Sequence, residues 1–175
     1  MTASKILTET ALVDRIGTLR QQGRSVVFTN GCFDLLHRGH VAYLEAARAL
    51  GDALIVAVNS DRSVRALKGP KRPITPAGDR AHVLAALACV NYVVEFDDDT
   101  AERLVAKFRP DVYVKGGDYA QDEPVEAAAV RDYGGKVHIL PFTSGYSTTG
   151  LVRRILASVE HINSASPCGG ELSRE

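Results

Sequence analysis

Short, continuous runs of apolar residues recur along the chain and are separated by stretches with helical spacing. Residues 53–58 (Ala-Leu-Ile-Val-Ala-Val) and 112–114 (Val-Tyr-Val) contain no alternating polar positions, which is typical of strands covered on both faces. Strands and helices that alternate along a chain form right-handed βαβ units. The sequence therefore predicts an α/β fold, a doubly wound parallel sheet of five strands with flanking helices.

Hydrophobic spacing and turn residues place the individual elements. Leu12, Ile16 and Leu19 indicate a first helix over 8–21, which Thr8 caps. The strands are expected near 25–30, 53–58, 91–96, 111–115 and 136–141. The later helices are expected near 40–50, 77–88, 100–108, 123–133 and 148–158. We expect one domain over residues 1–160 and a disordered tail over 161–175, because the tail is rich in Ser and Gly and has no periodicity.

The connection over residues 59–76 is long for a strand-to-helix loop and is rich in Gly, Pro and cations. Long connections inside compact domains are commonly functional. We interpret this segment as a mobile basic lid that presents Lys68, Lys71 and Arg72. A solvated run of charges explains the same residues equally well.

Charge and cysteine usage exclude several classes of function. Lys plus Arg and Asp plus Glu are balanced at 21 each, so the chain has no general field for nucleic acid or an anionic membrane. It has neither an 18-residue apolar run nor an N-terminal apolar region typical of a signal peptide, and we expect a cytoplasmic protein. Three cysteines without C-x-x-C spacing predict neither a disulfide framework nor a zinc site. Cys32 is a small filling residue more readily than a nucleophile.

Residues 29–40 (Thr-Asn-Gly-Cys-Phe-Asp-Leu-Leu-His-Arg-Gly-His) join the first predicted strand to the next helix. The start of a helix has unpaired N–H groups and the positive end of the dipole, so it attracts phosphate. Gly31 and Gly39 allow the backbone to come close to a ligand. His37 and His40 are three residues apart and lie on one helix face. This combination predicts a site for a nucleoside triphosphate.

Three further features suit the same ligand. Residues 115–119 (Lys-Gly-Gly-Asp-Tyr) end a strand with a cation, two glycines and an acid, although turn glycines alone would explain the Gly pair. Ser147 precedes a helix and is a cap whatever else it does, and its neighbours Thr148 and Thr149 can donate to phosphate. Arg80 lies in the first turns of a helix, where a cation opposes the dipole, and we expect it to face an anionic ligand.

The H-x-G-H signature after an N-G-x-F-D turn resembles the cytidylyltransferase-type nucleotidyltransferase superfamily. Within that superfamily, the chain most resembles the adenylyltransferases that form ADP-heptose. The resemblance covers residues 25–155 and is carried by segments 29–34, 59–61, 67–69 with 72–73, 83–87, 114–119 and 147–149. It implies a Rossmann-like nucleotidyltransferase fold with ATP and D-glycero-β-D-manno-heptose 1-phosphate as substrates, Mg²⁺ as cofactor, a homo-oligomer, and a separate sugar kinase upstream.

The resemblance also implies roles for individual residues. The catalytic residues are expected to be His37, His40 and Lys115, with no protein ligand dedicated to a metal. The residues expected to bind the nucleotide or its phosphates are Thr29, Asn30, Gly31, Phe33, Asp34, Gly39, Lys68, Arg72, Arg80, Gly116, Gly117, Asp118, Ser147, Thr148 and Thr149.

One position departs from the wider superfamily. Cytidylyltransferases carry R-T-E-G-I-S-T where this chain has Phe142-Thr-Ser-Gly-Tyr-Ser-Thr, so Phe142 replaces a phosphate-binding arginine. The substitution argues against a cytidylyltransferase acting on a polyol or amino-alcohol phosphate, which remains the first alternative. A nucleotide-binding module without turnover is the second.

Overall fold

A five-stranded, fully parallel sheet forms the centre of the protein in a computed structural model that describes residues 2–117 and 123–164. The strand order is β3-β2-β1-β4-β5. The strands are β1 (Val26–Gly31), β2 (Ala53–Asn59), β3 (Tyr92–Phe96), β4 (Val112–Gly116) and β5 (Lys136–Leu140). All five lie where the apolar runs predict them, and the α/β, doubly wound, Rossmann-like prediction is confirmed.

Helices cover both faces of the sheet. They are a short 3₁₀ helix (Thr2–Lys5), α1 (Glu9–Gln21), α2 (Arg38–Arg48), α3 (Asp61–Lys68), α4 (Ala77–Ala86), α5 (Glu102–Phe108), α6 (Ala127–Asp132) and α7 (Thr148–Ser164). The Thr8 hydroxyl accepts from the Ala11 N–H and caps α1, as expected.

Two helix predictions need correction. The expected lid over 59–76 contains α3, which begins after Ser60 because the Ser60 hydroxyl accepts from the Ser63 N–H. The apolar content of α3 is too low to distinguish it from a loop, because Val64 is its one fully buried apolar residue and Leu67 is about half exposed. The helix α7 extends to Ser164, into the expected tail. The remainder of that tail, residues 165–175, lies outside the described residues.

Successive side chains of each strand point to opposite faces of the sheet, so the core consists of two layers. Phe28 and Tyr113 point to the face covered by α1, α5 and α6, where their rings stack at 6.2 Å. Val27 and Val114 point to the opposite face, against α2 and α4. The direction of the strand order reverses between β1 and β4, which are direct neighbours. In open parallel sheets this reversal leaves a crevice at the carboxyl ends of the strands, where ligands bind.

An ion-pair network joins α1 to α5 at the surface. Hydrogen bonds from Arg103 (2.7 Å), with Lys107 at 2.6 Å, lower the pKa of Glu9 to about 2, against the opposing effect of burial. A carboxyl group whose pKa is lower in the folded state stabilises the fold above its unfolded pKa of 4.5, and the contribution is lost as the pH falls towards 2. Both cations are substantially exposed, so the network contributes about 1 kcal/mol.

We therefore expect Glu9→Gln to lower the free energy of unfolding by about 1 kcal/mol near neutral pH. The difference from the wild-type protein should shrink as the pH is lowered below 4.5. Urea unfolding across this pH range measures it. Glu102→Gln is the matched control, because the described partner of Glu102 is the neutral Thr100 hydroxyl. A difference that is independent of pH would contradict the assignment.

Candidate functional site

Two stacked imidazoles lie at the start of α2. His37 caps this helix, and its Nδ1 accepts from the His40 N–H at 3.4 Å. The two rings are 3.8 Å apart and inclined by only 16°. Because Nδ1 of His37 acts as an acceptor, the hydrogen of the neutral ring is assigned to Nε2. The pair that the sequence predicts on one helix face is therefore brought together.

Both histidines favour the neutral form. Burial, followed by the neighbouring His37, lowers the pKa of His40 to about 4. Burial also lowers the pKa of His37, and the positive charge of Arg154 adds to this effect. At neutral pH the pair consists of uncharged rings, each able to donate one N–H hydrogen bond to an anion.

Phe33 supports the histidine pair from the core. Its backbone has φ of 45°, in the left-handed region, and its ring meets His40 edge-on at 5.5 Å. A Cβ at Gly31 would lie 3.0 Å from this ring, so the glycine leaves room for Phe33. Phe33 is 7% exposed. Its side chain is thus a packing element for His40, and contact between the Phe33 backbone and a nucleotide stays a prediction.

The start of α7 lies beside the start of α2. The Ser147 hydroxyl accepts from the Gly150 N–H at 3.0 Å, and the Thr148 hydroxyl donates to the Leu35 carbonyl at 3.5 Å. Tyr146 stacks on His37 at 6.2 Å. A Cβ at Gly39 would lie 2.8 Å from the Tyr146 Cβ, so this close approach requires glycine. Two helix starts, with their free N–H groups, therefore converge at the histidines, and Thr149 is exposed there.

The hydroxyl of Thr29 faces the core instead of the crevice. Thr29 is fully buried, and its Oγ1 lies 2.7 Å from the Tyr43 hydroxyl. The Tyr43 hydroxyl donates to the Val114 carbonyl at 3.1 Å, so the Thr29 hydroxyl donates to Tyr43. This chain of bonds ties α2 to the seam between β1 and β4. It corrects the expectation that the Thr29 side chain binds phosphate.

Lys115 lies on the opposite face of the sheet from α2. Its Nζ donates to Glu126 Oε1 at 3.1 Å, to the Tyr113 hydroxyl at 3.2 Å and to Asn30 Oδ1 at 3.4 Å. The Tyr113 hydroxyl also donates to Asn30 at 2.8 Å. The structure therefore places Lys115 and Asn30 together at the carboxyl ends of neighbouring strands, on the other side of the crevice from the histidines.

The glycines after Lys115 differ in their surroundings. A Cβ at Gly116 would lie 2.8 Å from the Phe142 ring, which is 74% exposed, so this aromatic ring leans over the end of β4. At Gly117 a Cβ would meet Ile139 at 3.6 Å, an ordinary contact. The predicted site residue Asp118 lies outside the described residues.

Asp34 anchors the segment that follows α3. Its buried carboxylate accepts from the Arg72 guanidinium and from the N–H groups of Ile74 (2.7 Å) and Thr75 (2.9 Å). The carboxylate of Asp34 therefore has a structural role at the turn and pins the segment to the end of β1. Lys68 is exposed, and its positive charge acts to lower the pKa of the Cys32 thiol.

Burial raises the pKa of the Cys32 thiol more than nearby cations lower it. The protonated thiol is a weak nucleophile, which supports the filling role expected of Cys32.

Arg80 does not face the crevice. Its fully buried guanidinium donates to the Thr75 carbonyl (2.8 Å), the Cys32 carbonyl (2.6 Å) and the Asp61 carboxylate (2.8 Å). This corrects the expectation of an anionic ligand, because the anion that offsets the guanidinium charge is Asp61. Asp61 also accepts from the Ala77 N–H at the start of α4.

Sequence reasoning missed three residues around the site. Tyr43 follows His40 by three residues on α2, a spacing that could have indicated its position. Tyr146 lies next to the predicted cap Ser147, but nothing in the sequence indicates that its ring stacks on His37. Glu126 gives no sequence signal, because its contact with Lys115 depends on how the chain returns after β4.

Comparisons with known proteins bear on the same region. A family model described as cytidylyltransferase-like matches residues 28–154. Bifunctional protein HldE of Syntrophotalea carbinolica is 51% identical over 157 residues, covering 90% of this chain and 32% of that protein. Bifunctional protein HldE of Alcanivorax borkumensis is 52% identical over 150 residues, covering 86% of this chain and 32% of that protein. The chain thus spans about a third of the length of these curated relatives.

A solved structure shares the fold. The lipopolysaccharide core biosynthesis protein from Thermoplasma volcanium is 29% identical, with a TM-score of 0.59. The match covers 71% of this chain and 100% of that one. Among the described helices of the present chain, none has the length and apolar character needed to cross a membrane.

Proposed function

The chain belongs to the cytidylyltransferase-like family and is a nucleotidyltransferase, and from this premise we propose that it transfers AMP from ATP to D-glycero-β-D-manno-heptose 1-phosphate. The products are ADP-heptose and pyrophosphate, and the ADP-heptose serves lipopolysaccharide inner-core synthesis. The observation that carries the proposal is the stacked His37–His40 pair where the starts of α2 and α7 converge. Similarity to the HldE proteins and to a lipopolysaccharide core biosynthesis protein supports the choice of acceptor.

In the proposed reaction, an oxygen of the sugar 1-phosphate attacks the α-phosphorus of ATP in line. The bond from that phosphorus to the bridging oxygen of the β-phosphate breaks, and pyrophosphate leaves with the electron pair. The attacking phosphate is already anionic, so the reaction requires no general base. Catalysis then depends on positioning the phosphates and stabilising the charge that develops on them.

The proposal assigns that stabilisation to groups on both sides of the crevice. His37 and His40 donate from neutral rings to the α- and β-phosphates, together with the N–H groups at Gly39. The start of α7, with Ser147, Thr148 and Thr149, holds the far end of the triphosphate. Lys115 approaches the phosphates from the other face of the sheet. The backbone of Gly31, Gly116 and Gly117 leaves access to the nucleotide, and the exposed Lys68 supplies a further cation. Arg72, expected to do the same, is instead held by the Asp34 carboxylate.

Mg²⁺ in this proposal enters with ATP as its complex and neutralises the phosphate charge. No cluster of three or more His, Cys, Asp or Glu side chains that could hold a metal occurs in the described part of the chain. The carboxylate of Asp34 is occupied by Arg72 and two N–H groups. This donor set suits a Mg²⁺ ion held mainly by phosphate oxygens and water.

The proposed partners extend to a sugar kinase, which must supply the 1-phosphate, and to a second copy of the chain. Ile155, Leu156 and Val159 on α7 are each about half exposed and offer an apolar surface that a homo-oligomer would cover. Both partners remain predictions.

Pyrophosphate release tests the substrate assignment. We expect the purified protein, with Mg²⁺ and the heptose 1-phosphate, to release pyrophosphate with ATP and not with CTP, GTP or UTP. Release with CTP alone would overturn the adenylyl assignment and direct the acceptor search to polyol phosphates. Binding of ATP without release, with this acceptor and with other sugar phosphates, would favour a non-catalytic nucleotide-binding module.

A further inference from the structure

The Lys115 ammonium is fully engaged by the protein itself. Its three hydrogens have three acceptors, in Glu126, Tyr113 and Asn30, at 3.1, 3.2 and 3.4 Å. The lysine side chain is nevertheless 35% exposed, so a ligand in the crevice can reach it. A phosphate that binds Lys115 must therefore compete with these acceptors or displace one of them.

Glu126 competes with phosphate for the Lys115 ammonium more strongly than Tyr113 and Asn30 do, because it carries a full negative charge and is buried. It is 1% exposed at the residue before α6, and its Oε1 also accepts from the Ala101 N–H at 3.2 Å. Its Oε2 is buried and has no hydrogen-bond partner among residues 2–117 and 123–164. Burial by itself raises the pKa of Glu126, but Lys115 and the hydrogen bonds to the carboxylate hold it below its usual value. The pair is thus ionised and neutral as a whole.

We propose that Glu126 sets the phosphate affinity of Lys115: it neutralises the ammonium in the resting protein and weakens its hold on phosphate. This inference rests on the proposed function insofar as Lys115 faces a phosphate there. Its consequence for the reaction is that pyrophosphate, the product with the highest charge density, leaves more readily. Glu126 acts through Lys115 and need not touch the substrate.

Two opposing effects of Glu126→Gln decide the sign of the expected change. Removing the carboxylate, which lies 3.1 Å from the ammonium, removes its repulsion of a phosphate held by Lys115. After solvent screening this repulsion amounts to about tenfold in a binding constant. Removing the ion pair also loosens the lysine, which weakens binding. The second effect is the smaller one, because Tyr113 and Asn30 still accept from Nζ. Tighter phosphate binding is therefore expected.

Calorimetric titration with inorganic pyrophosphate at constant Mg²⁺ tests the inference. We expect the Kd of Glu126→Gln to be about tenfold lower than that of the wild-type protein. Glutamine retains an oxygen for the Ala101 N–H, and thermal melting confirms that the variant is folded. Glu123→Gln is the matched control. It makes the same charge change nearby on a half-exposed side chain that pairs with Arg131, and its Kd should stay within about twofold.

A double-mutant cycle assigns the effect to Lys115. In a Lys115→Met background, adding Glu126→Gln should leave the Kd unchanged, because burial without the neighbouring ammonium raises the pKa of Glu126 and favours the neutral carboxyl, which does not repel phosphate. An equal gain in that background would overturn the inference. So would weaker or unchanged binding in Glu126→Gln alone, or no pyrophosphate binding by either protein. Tighter binding in Glu126→Gln from a protein that forms no sugar nucleotide would sustain the inference and refute the proposed function.

Discussion

Replacing His40 with Ala is expected to lower kcat by about 10²- to 10³-fold. The ring is one of two histidine donors for the charge that develops on the phosphates, and it is stacked on His37, so its loss also loosens the second histidine. Steady-state pyrophosphate release over a range of ATP concentrations measures this change. The KM for ATP should change much less than kcat, because the helix starts still bind the phosphates in the ground state.

His82→Ala provides the matched control, since His82 is an exposed histidine on α4, away from the crevice. It should turn over at the wild-type rate. The melting temperature of His40→Ala should stay within a few degrees of wild type, because the ring is only partly buried. A folded His40→Ala protein with near-normal turnover would remove His40 from the catalytic residues.

Replacing Arg80 with Met is expected to lower the free energy of unfolding by about 3 kcal/mol. The variant keeps most of the side-chain volume but loses three hydrogen bonds, and the partly buried carbonyls of Cys32 and Thr75 lose donors. The Asp61 carboxylate is partly exposed, so water can hydrate it in the variant. The loss of stability therefore lies at the lower end of the range for a broken buried ion pair. Urea unfolding gives this value directly.

Arg65→Met is the control for Arg80→Met, because Arg65 is an exposed arginine on the neighbouring α3. Its stability should lie within about 0.5 kcal/mol of wild type. If Arg80→Met were as stable as wild type but failed to bind ATP, Arg80 would be a phosphate ligand and the structural role assigned to it would be wrong.

The sheet could be predicted because its strands are apolar throughout. Runs such as 53–58 leave no polar face, and only a strand covered on both sides accommodates them. The helix α3 could not be predicted in this way, since it buries little and is defined by the Ser60 cap and the contacts of its neighbours. Its Val64 and Leu67 have helical spacing, but an eight-residue helix is too short for two apolar positions to identify it.

The histidine pair could be predicted because the spacing of three and the helix start are both local features. The partners of Thr29, Arg80 and Lys115 could not, because they are set by contacts across the fold. Thr29 alternates onto the face that α2 covers, where it meets Tyr43. Arg80 forms an ion pair with Asp61 on α3, and Lys115 forms one with Glu126 at the start of α6. In each of these cases the residue type is polar, but only the topology decides whether its partner is a ligand or another side chain.

The proposed function requires that the α-phosphoryl group of ATP moves to a sugar 1-phosphate. Parallel reactions with ATP labelled at the α- or the γ-phosphorus, resolved by chromatography and mass spectrometry, show which phosphoryl group is transferred. We expect the α-label to enter a sugar nucleotide with the mass of ADP-heptose and the γ-label to appear only in pyrophosphate. Transfer of the γ-label to the sugar, or an α-label that stays in AMP or ATP, would contradict the claim.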